Sequence, residues 1–311
     1  MPIQAAVSAA TARRAYLGGV VLLLVASVLW SLNGALIKMT YQAGASPLAI
    51  AFYRSLFAGL FLLPLGARGL RTLSPRAAGR RFPIRPLAMG CMVCFTLMTA
   101  CFIFANTKTE AANAVVLQYT STFWIFGLSP WLLRERPRGE DLRFVALAMV
   151  GIAVIFAGNA DTDAVGLLIA LASGLFFALL TLMIRRLRDS DPAAVTVFNN
   201  LGSALLLLPM CAVMGGLALS DRSLVLLIIM GIVQFGTPYY LYALGLARVP
   251  AYQAALITMV EPVLVPVWTY LAVGETVPPA TVLGGTVILV ALALFIRAAQ
   301  RGRPALVKEP A

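Results

Sequence analysis

Residues 258–268 read TMVEPVLVPVW. A carboxylate, Glu261, stands beside Pro262 inside an otherwise apolar run, and Pro266 follows four residues later. Proline lacks the backbone N–H and crowds the carbonyl four residues before it, so each one disturbs a helix. A charged carboxylate facing hydrocarbon would cost several kcal/mol. What the stretch means therefore depends on whether its surroundings lie in water or in lipid.

The whole chain answers for lipid. Its 311 residues are 61% hydrophobic and 12% charged, with mean hydropathy +0.91, whereas a soluble domain carries about 25% charged residues. The charges collect between apolar runs of roughly 17 to 25 residues, the length of a membrane-crossing helix. An all-α membrane protein is predicted, with ten transmembrane helices at 17–39, 47–67, 86–106, 110–132, 142–159, 164–184, 192–214, 223–246, 250–272 and 278–298. Arg13 and Arg14 precede the first apolar run, which is too long for a typical signal peptide and is read as the first span.

The net charge of +12 does not point to nucleic acid, because the basic residues sit in short connectors. With the N-terminus inside, twenty of the 24 Lys and Arg fall on the cytoplasmic side; Lys38, Lys108 and Arg222 fall outside and Arg54 within a span. That bias predicts a multi-pass inner (plasma) membrane protein with both termini cytoplasmic. Cys91, Cys94, Cys101 and Cys211 all lie in apolar segments, and there is no histidine. They are read as packing residues; no metal and no cofactor is expected.

The halves resemble one another. EAANAVVL (110–117) aligns with PAYQAALI (250–257), and LLRERP (132–137) with AVGETV (272–277), at one offset of 140; Pro47 and Pro64 pair with Pro192 and Pro209 at 145. Five helices per copy is an odd number, so the second copy enters the membrane upside down. The predicted organisation is a cytoplasmic tail at 1–16, one five-helix repeat at 17–159, a second at 160–298, and a tail at 299–311. Inverted-topology repeats are common in secondary transporters, with the solute site near the midplane between them.

Three stretches, VLWSLNGALIKM (28–39), FYRSLFAGLFLLP (52–64) and VEPVLVPVWTYLAVGETVPPATVLGG (260–285), resemble the EamA type of the drug/metabolite transporter superfamily. The resemblance implies an exporter of amino acids and related metabolites. The first half departs from it, with Ser121-Thr122 where the second has Glu261-Pro262, so the two halves are not equivalent there.

Glu261 is eleven residues into its span, roughly 17 Å deep by helical rise and close to the middle of a ~30 Å core. It either borders a solute or ion site, with proton exchange as one coupling, or serves as a structural acid that sets helix packing. Arg54 lies at a similar depth; it pairs with Glu261, snorkels outward to cap carbonyls, or meets a substrate carboxylate. Trp30, Asn33, Gln118, Tyr119, Asn199 and Tyr239 complete the candidate substrate-binding set, Asn199 because it is the repeat counterpart of Arg54. Helix breaks are expected at Pro238, Pro262 and Pro266. Gly151, Gly158, Gly284 and Gly285 suit close packing of spans five and ten on neighbours or on a second protomer, so the chain is a monomer or a homodimer.

The expected function is export of small metabolites, amino acids or related compounds, by alternating access. A drug or nucleoside-type efflux carrier is the alternative, and a channel-like or scaffolding membrane protein represents another class. The expected partners are a small-molecule substrate and membrane lipid. The lack of histidine argues against a membrane-embedded enzyme, and no Walker A motif is present for ATP-driven transport.

Overall fold

A computed structural model describes residues 2–70, 84–109, 111–157, 163–214, 217–274 and 279–301. Among them the fold is all-α. Fourteen helices follow in order: α1 Pro2–Ser31, α2 Asn33–Gln42, α3 Pro47–Leu70, α4 Ile84–Lys108, α5 Ala111–Gln118, α6 Ser121–Leu132, α7 Gly139–Ala157, α8 Ala164–Arg186, α9 Pro192–Val213, α10 Asp221–Ile229, α11 Thr237–Leu246, α12 Ala251–Ile257, α13 Glu261–Val273 and α14 Pro279–Arg301. A π-helical stretch, Met230–Gly236, joins α10 to α11, and a 3₁₀ turn, Thr258–Val260, joins α12 to α13.

Helix starts follow local chemistry. Asp163 and Asp191 accept from the N–H groups of Val165 and Ala193, both at 2.9 Å, satisfying donors that the first helical turn leaves open. Helix α1 already begins at Pro2, within the stretch expected as an N-terminal tail. Glu110, Glu275 and Gly158, used above, lie outside the described residues.

Seven helical stretches are long and apolar enough to cross a membrane: Thr11–Gln42, Pro47–Leu70, Arg85–Lys108, Ala164–Arg186, Pro192–Val213, Asp221–Leu246 and Ala251–Val273. Three predicted spans fall short of that measure. α5 and α6 are separate and short, the first turn of α7 carries Glu140 and Asp141, and α14 counts as a shorter apolar helix over its described residues Val282–Ala298. The outer surface keeps bulky apolar side chains such as Val21, Leu65, Leu168, Leu205 and Leu271 exposed. Such a surface suits lipid rather than water.

Four of the predicted spans are interrupted. The first breaks at Leu32, the fourth between Gln118 and Ser121, the eighth through the π-helical stretch and the ninth through the 3₁₀ turn. Of the expected breaks, Pro262 sits where the 3₁₀ turn meets α13, and Pro238 is the second residue of α11, just past the π-helical stretch. Pro266 lies within α13, which runs on past it. Its missing N–H leaves the carbonyl of Pro262 without its helical partner.

The helices pack in matched pairs. α3 lies along α9, and α7 along α14. α4 packs on α8 as α11 packs on α1, and α12 packs on α6 as α5 packs on α13. A methyl added at Gly59 would meet Leu201 and one at Gly66 would meet Ala193, so α3 and α9 run antiparallel. α7 and α14 cross at two glycines: a Cβ on Gly151 would stand 2.5 Å from the Gly284 carbonyl oxygen, and one on Gly284 2.3 Å from that of Gly151. These glycines serve contacts within the chain.

Because each obstacle is backbone, no rotamer change relieves it. Gly284→Ala is expected to destabilise by about 1–3 kcal/mol, the usual range for overpacking, and to lower the unfolding temperature in detergent by several degrees. Gly127→Ala is the control, since nothing lies within 4 Å of an added methyl. It should melt no lower than wild type does, since alanine favours the helix over glycine.

Candidate solute cavity

The four interruptions meet. Trp30 ends α1 beside the first break and Asn33 opens α2; Gln118 closes α5; Gln234 and Phe235 belong to the π-helical stretch; Glu261 opens α13. All six line one cavity, shared with Arg54, Met98, Phe102, Phe177 and Tyr239. It has about 20 Å³ where a whole water fits, roughly one molecule. Each break thus turns a polar side chain inwards at the place where the backbone is least regular.

Aromatic rings build the walls. Trp30 meets Tyr239 edge-on with centroids 4.8 Å apart and Phe177 at 6.0 Å, and Phe235 meets Tyr239 at 5.0 Å. α3 supplies Arg54, and Gly231 lets the π-helical stretch approach it. A Cβ on Gly231 would stand 2.9 Å from the Arg54 carbonyl oxygen.

Arg54 is 1% exposed, so it does not snorkel. Its guanidinium lies 4.1 Å from the centroid of the Phe235 ring and donates to Asn33 Oδ1 at 3.2 Å. The Nε–H has no acceptor, and among the described residues no carboxylate oxygen comes within 4.0 Å of it. The expected alternative of an Arg54–Glu261 pair is therefore not formed, although both border the same cavity. Trp30 Nε1 and Gln234 Oε1 are likewise buried without a partner.

The breaks hold one another. Thr258, whose carbonyl has lost its ordinary partner to Pro262, accepts the N–H of Glu261 in the 3₁₀ turn and the hydroxyl of Tyr119 at 2.6 Å. Tyr119 also contacts Glu261 Oε2 at 2.9 Å, which places it behind the lining at the fourth span's break. Thr120 donates to the Leu117 carbonyl at 2.6 Å and Thr237 to the Ile232 carbonyl at 2.7 Å. Gln118 donates to Ser173 at 2.7 Å, and Trp268 to Ser31 at 2.8 Å. Besides Tyr119, Asn199 is the candidate that does not line the cavity. It is buried outside the cavity and donates to Cys91 Sγ at 3.3 Å, so its place in the repeat does not bring it to the site.

Gln234, Phe235, Phe177, Met98 and Phe102 were not among the expected lining residues. Gly231 and Gly236 flanking a lone amide were the available signal for the first two. A π-helical register has no periodic signature of its own.

One end of the bundle is locked by charge. Glu135, just beyond α6, accepts from Arg185 Nε at 2.6 Å and from the N–H of Ala251 at 2.9 Å, the first residue of α12. Arg185 also donates to the Leu246 carbonyl at the end of α11, and Arg186 to the Leu132 carbonyl at 2.9 Å. Four helix ends are thereby joined through a pair only 5% and 13% exposed.

These features define a multi-pass helical membrane protein with a polar, aromatic-walled centre built from interrupted helices. The chain belongs to the EamA-like transporter family, whose model matches residues 17–157 and residues 164–297. It is 29% identical over 283 residues to the uncharacterised transporter YwfM of Bacillus subtilis, covering 89% of this chain and 93% of that one. It is 28% identical over 198 residues to the threonine/homoserine exporter RhtA of Escherichia coli, covering 62% and 65%. A solved crystal structure matches 91% of this chain and 98% of its own with a TM-score of 0.74 at 19% identity, a likeness of fold.

Removing one member of a buried ion pair strands the other and costs about 3–5 kcal/mol when burial is complete. Glu135→Ala and Arg185→Ala should each lower stability by about 2–4 kcal/mol, read as melting in detergent. Their double variant should fall short of the sum by at least 1 kcal/mol, the mark of a direct coupling.

Proposed function

We propose that the chain is a secondary transporter of the inner membrane that exports small metabolites, amino acids or related compounds, by alternating access. In this reading ten spans form two inverted five-helix repeats with both termini in the cytoplasm. Several observations support it: the matched helix pairs, each of which maps onto another pair or onto itself when the halves are swapped; the family model's match to two consecutive stretches; and the onset of α12 and α13 140 residues after α5 and α6. In the same reading the Glu135–Arg185 lock lies on the cytoplasmic side, where positive charge collects.

The observation that carries the reading is Arg54. A guanidinium buried this deeply, with an unused N–H and no carboxylate among the described residues within 4.0 Å, is costly unless something else supplies the negative charge. A solute carboxylate does so, in the bidentate geometry that arginine favours. Trp30 Nε1 offers a further donor, while Gln234 Oε1 and the side chain of Glu261 border the same cavity as acceptors for an amino group. The similarity to a threonine/homoserine exporter agrees with a solute of this kind. A cationic drug is disfavoured by the same arginine.

Reconstituted in liposomes, the protein should exchange at least one amino acid from a panel in a saturable counterflow assay. Arg54→Gln should cut that exchange at least tenfold, as loss of a charge-assisted contact implies, with the melting temperature as a check on folding. Full exchange in folded Arg54→Gln, or none by wild type across the panel, contradicts the reading.

A further inference from the structure

We infer that Glu261 is a proton-binding site, and that its proton joins the two interrupted helices through Tyr119. The hydroxyl of Tyr119 has one hydrogen and two neighbours, the Thr258 carbonyl oxygen at 2.6 Å and Glu261 Oε2 at 2.9 Å. It cannot give a full hydrogen bond to both. A bond from a hydroxyl to an ionised carboxylate is the shorter kind, about 2.5–2.7 Å, yet here the shorter contact is to the neutral carbonyl. The hydrogen therefore goes to Thr258, and the contact at 2.9 Å needs a hydrogen from the other side. A protonated Glu261 supplies it, donating to the Tyr119 oxygen.

The surroundings agree. Glu261 is 4% exposed, and no cation among the described residues lies within 4.0 Å of it. The titratable or charged groups towards it are Tyr119 on the α5–α6 link, Arg54 on α3 and Tyr239 on α11, all buried. Tyr242, one turn along α11, is engaged with Thr181 at 2.8 Å. α1 and α2 carry no ionisable residue between Tyr16 and Lys38, α8 none before Arg185, and α14 none before Arg297. A buried carboxylate with no counter-charge is costly and a carboxylic acid is not.

The consequence is a switch with a defined proton path. Protonated, Glu261 gives the chain Glu261 to Tyr119 to Thr258 carbonyl, which ties the break at 118–121 to the break at 258–260. When the cavity opens to an aqueous compartment the proton leaves to that water, and the Tyr119 hydrogen turns to the new carboxylate. The Thr258 carbonyl keeps the N–H of Glu261, but the tie between the two breaks loses one of its links. The negative charge is then free to hold a solute ammonium, so proton and solute compete for one group and exchange across the membrane. This last step rests on the carrier reading above; the proton site does not.

Infrared difference spectra of the lipid-reconstituted protein decide the proton site. Wild type minus Glu261→Gln at neutral pH should show a carboxylic-acid C=O band, and Tyr119→Phe should shift that band. A carboxylate signal in its place overturns the inference. Should Glu261→Gln fail to fold, an unmoved band in Tyr119→Phe does the same. In liposomes with an internal pH dye, wild type should move about one proton per solute exchanged across a solute gradient. In Glu261→Gln that ratio should fall near zero at whatever rate remains, and an unchanged ratio overturns the coupling. If wild type exchanges no amino acid, the carrier reading fails while the infrared result still decides the proton.

Discussion

A helix interrupted inside hydrocarbon leaves N–H and C=O groups with no water to turn to, and each such group costs several kcal/mol if nothing answers it. The structure depends on how this constraint is met. Interrupted spans are brought to one place, where hydroxyls and amides of one break answer the backbone of another or of their own. Tyr119 reaches the Thr258 carbonyl, Thr237 that of Ile232, and Thr120 that of Leu117. Having gathered polar side chains for this purpose, the bundle has also lined a cavity. Backbone repair and the making of a site are one arrangement here.

The rigid parts lie elsewhere. α3 against α9 and α7 against α14 pack through glycines that admit backbone to backbone contact, and these helices carry no interruption. The Glu135–Arg185 pair closes the bundle at one end by joining ends of interrupted and uninterrupted helices alike. On the carrier reading, opening to that side requires this pair to part, while α7 and α14 supply a frame that need not move. The cavity, with room for about one water, is narrower than the roughly 300–1,000 Å³ of ordinary ligand sites, so entry of a solute demands such a movement.

Much of this was legible from residues. A carboxylate beside a proline in an apolar run marked both a break and a candidate site, because neither is tolerable in lipid without local partners. Arg54, Asn33, Trp30, Gln118 and Tyr239 followed from polarity and depth, and the structure brings them to Glu261's cavity. Asn199 did not follow, since repeat position fixes a helix's place but not which way each side chain packs around it. The break at 118–121 was missed because no proline marks it; only the repeat offset to Thr258–Val260 could have shown it. GIAVI (151–155) and GGTVI (284–288), which cross at their glycines, also escaped notice: their offset of 133 differs from the 140 that relates the segments before them.

The central claim is that the four breaks surround a hydrated chamber opening alternately to each side. Gln234→Cys, made in a background whose four native cysteines are replaced, tests it most directly through labelling with a membrane-impermeant thiol reagent. Labelling from both faces of the membrane, slowed by the exchanged solute, is the result the account predicts. A thiol that stays unlabelled from either face, in protein that still exchanges solute, would contradict it.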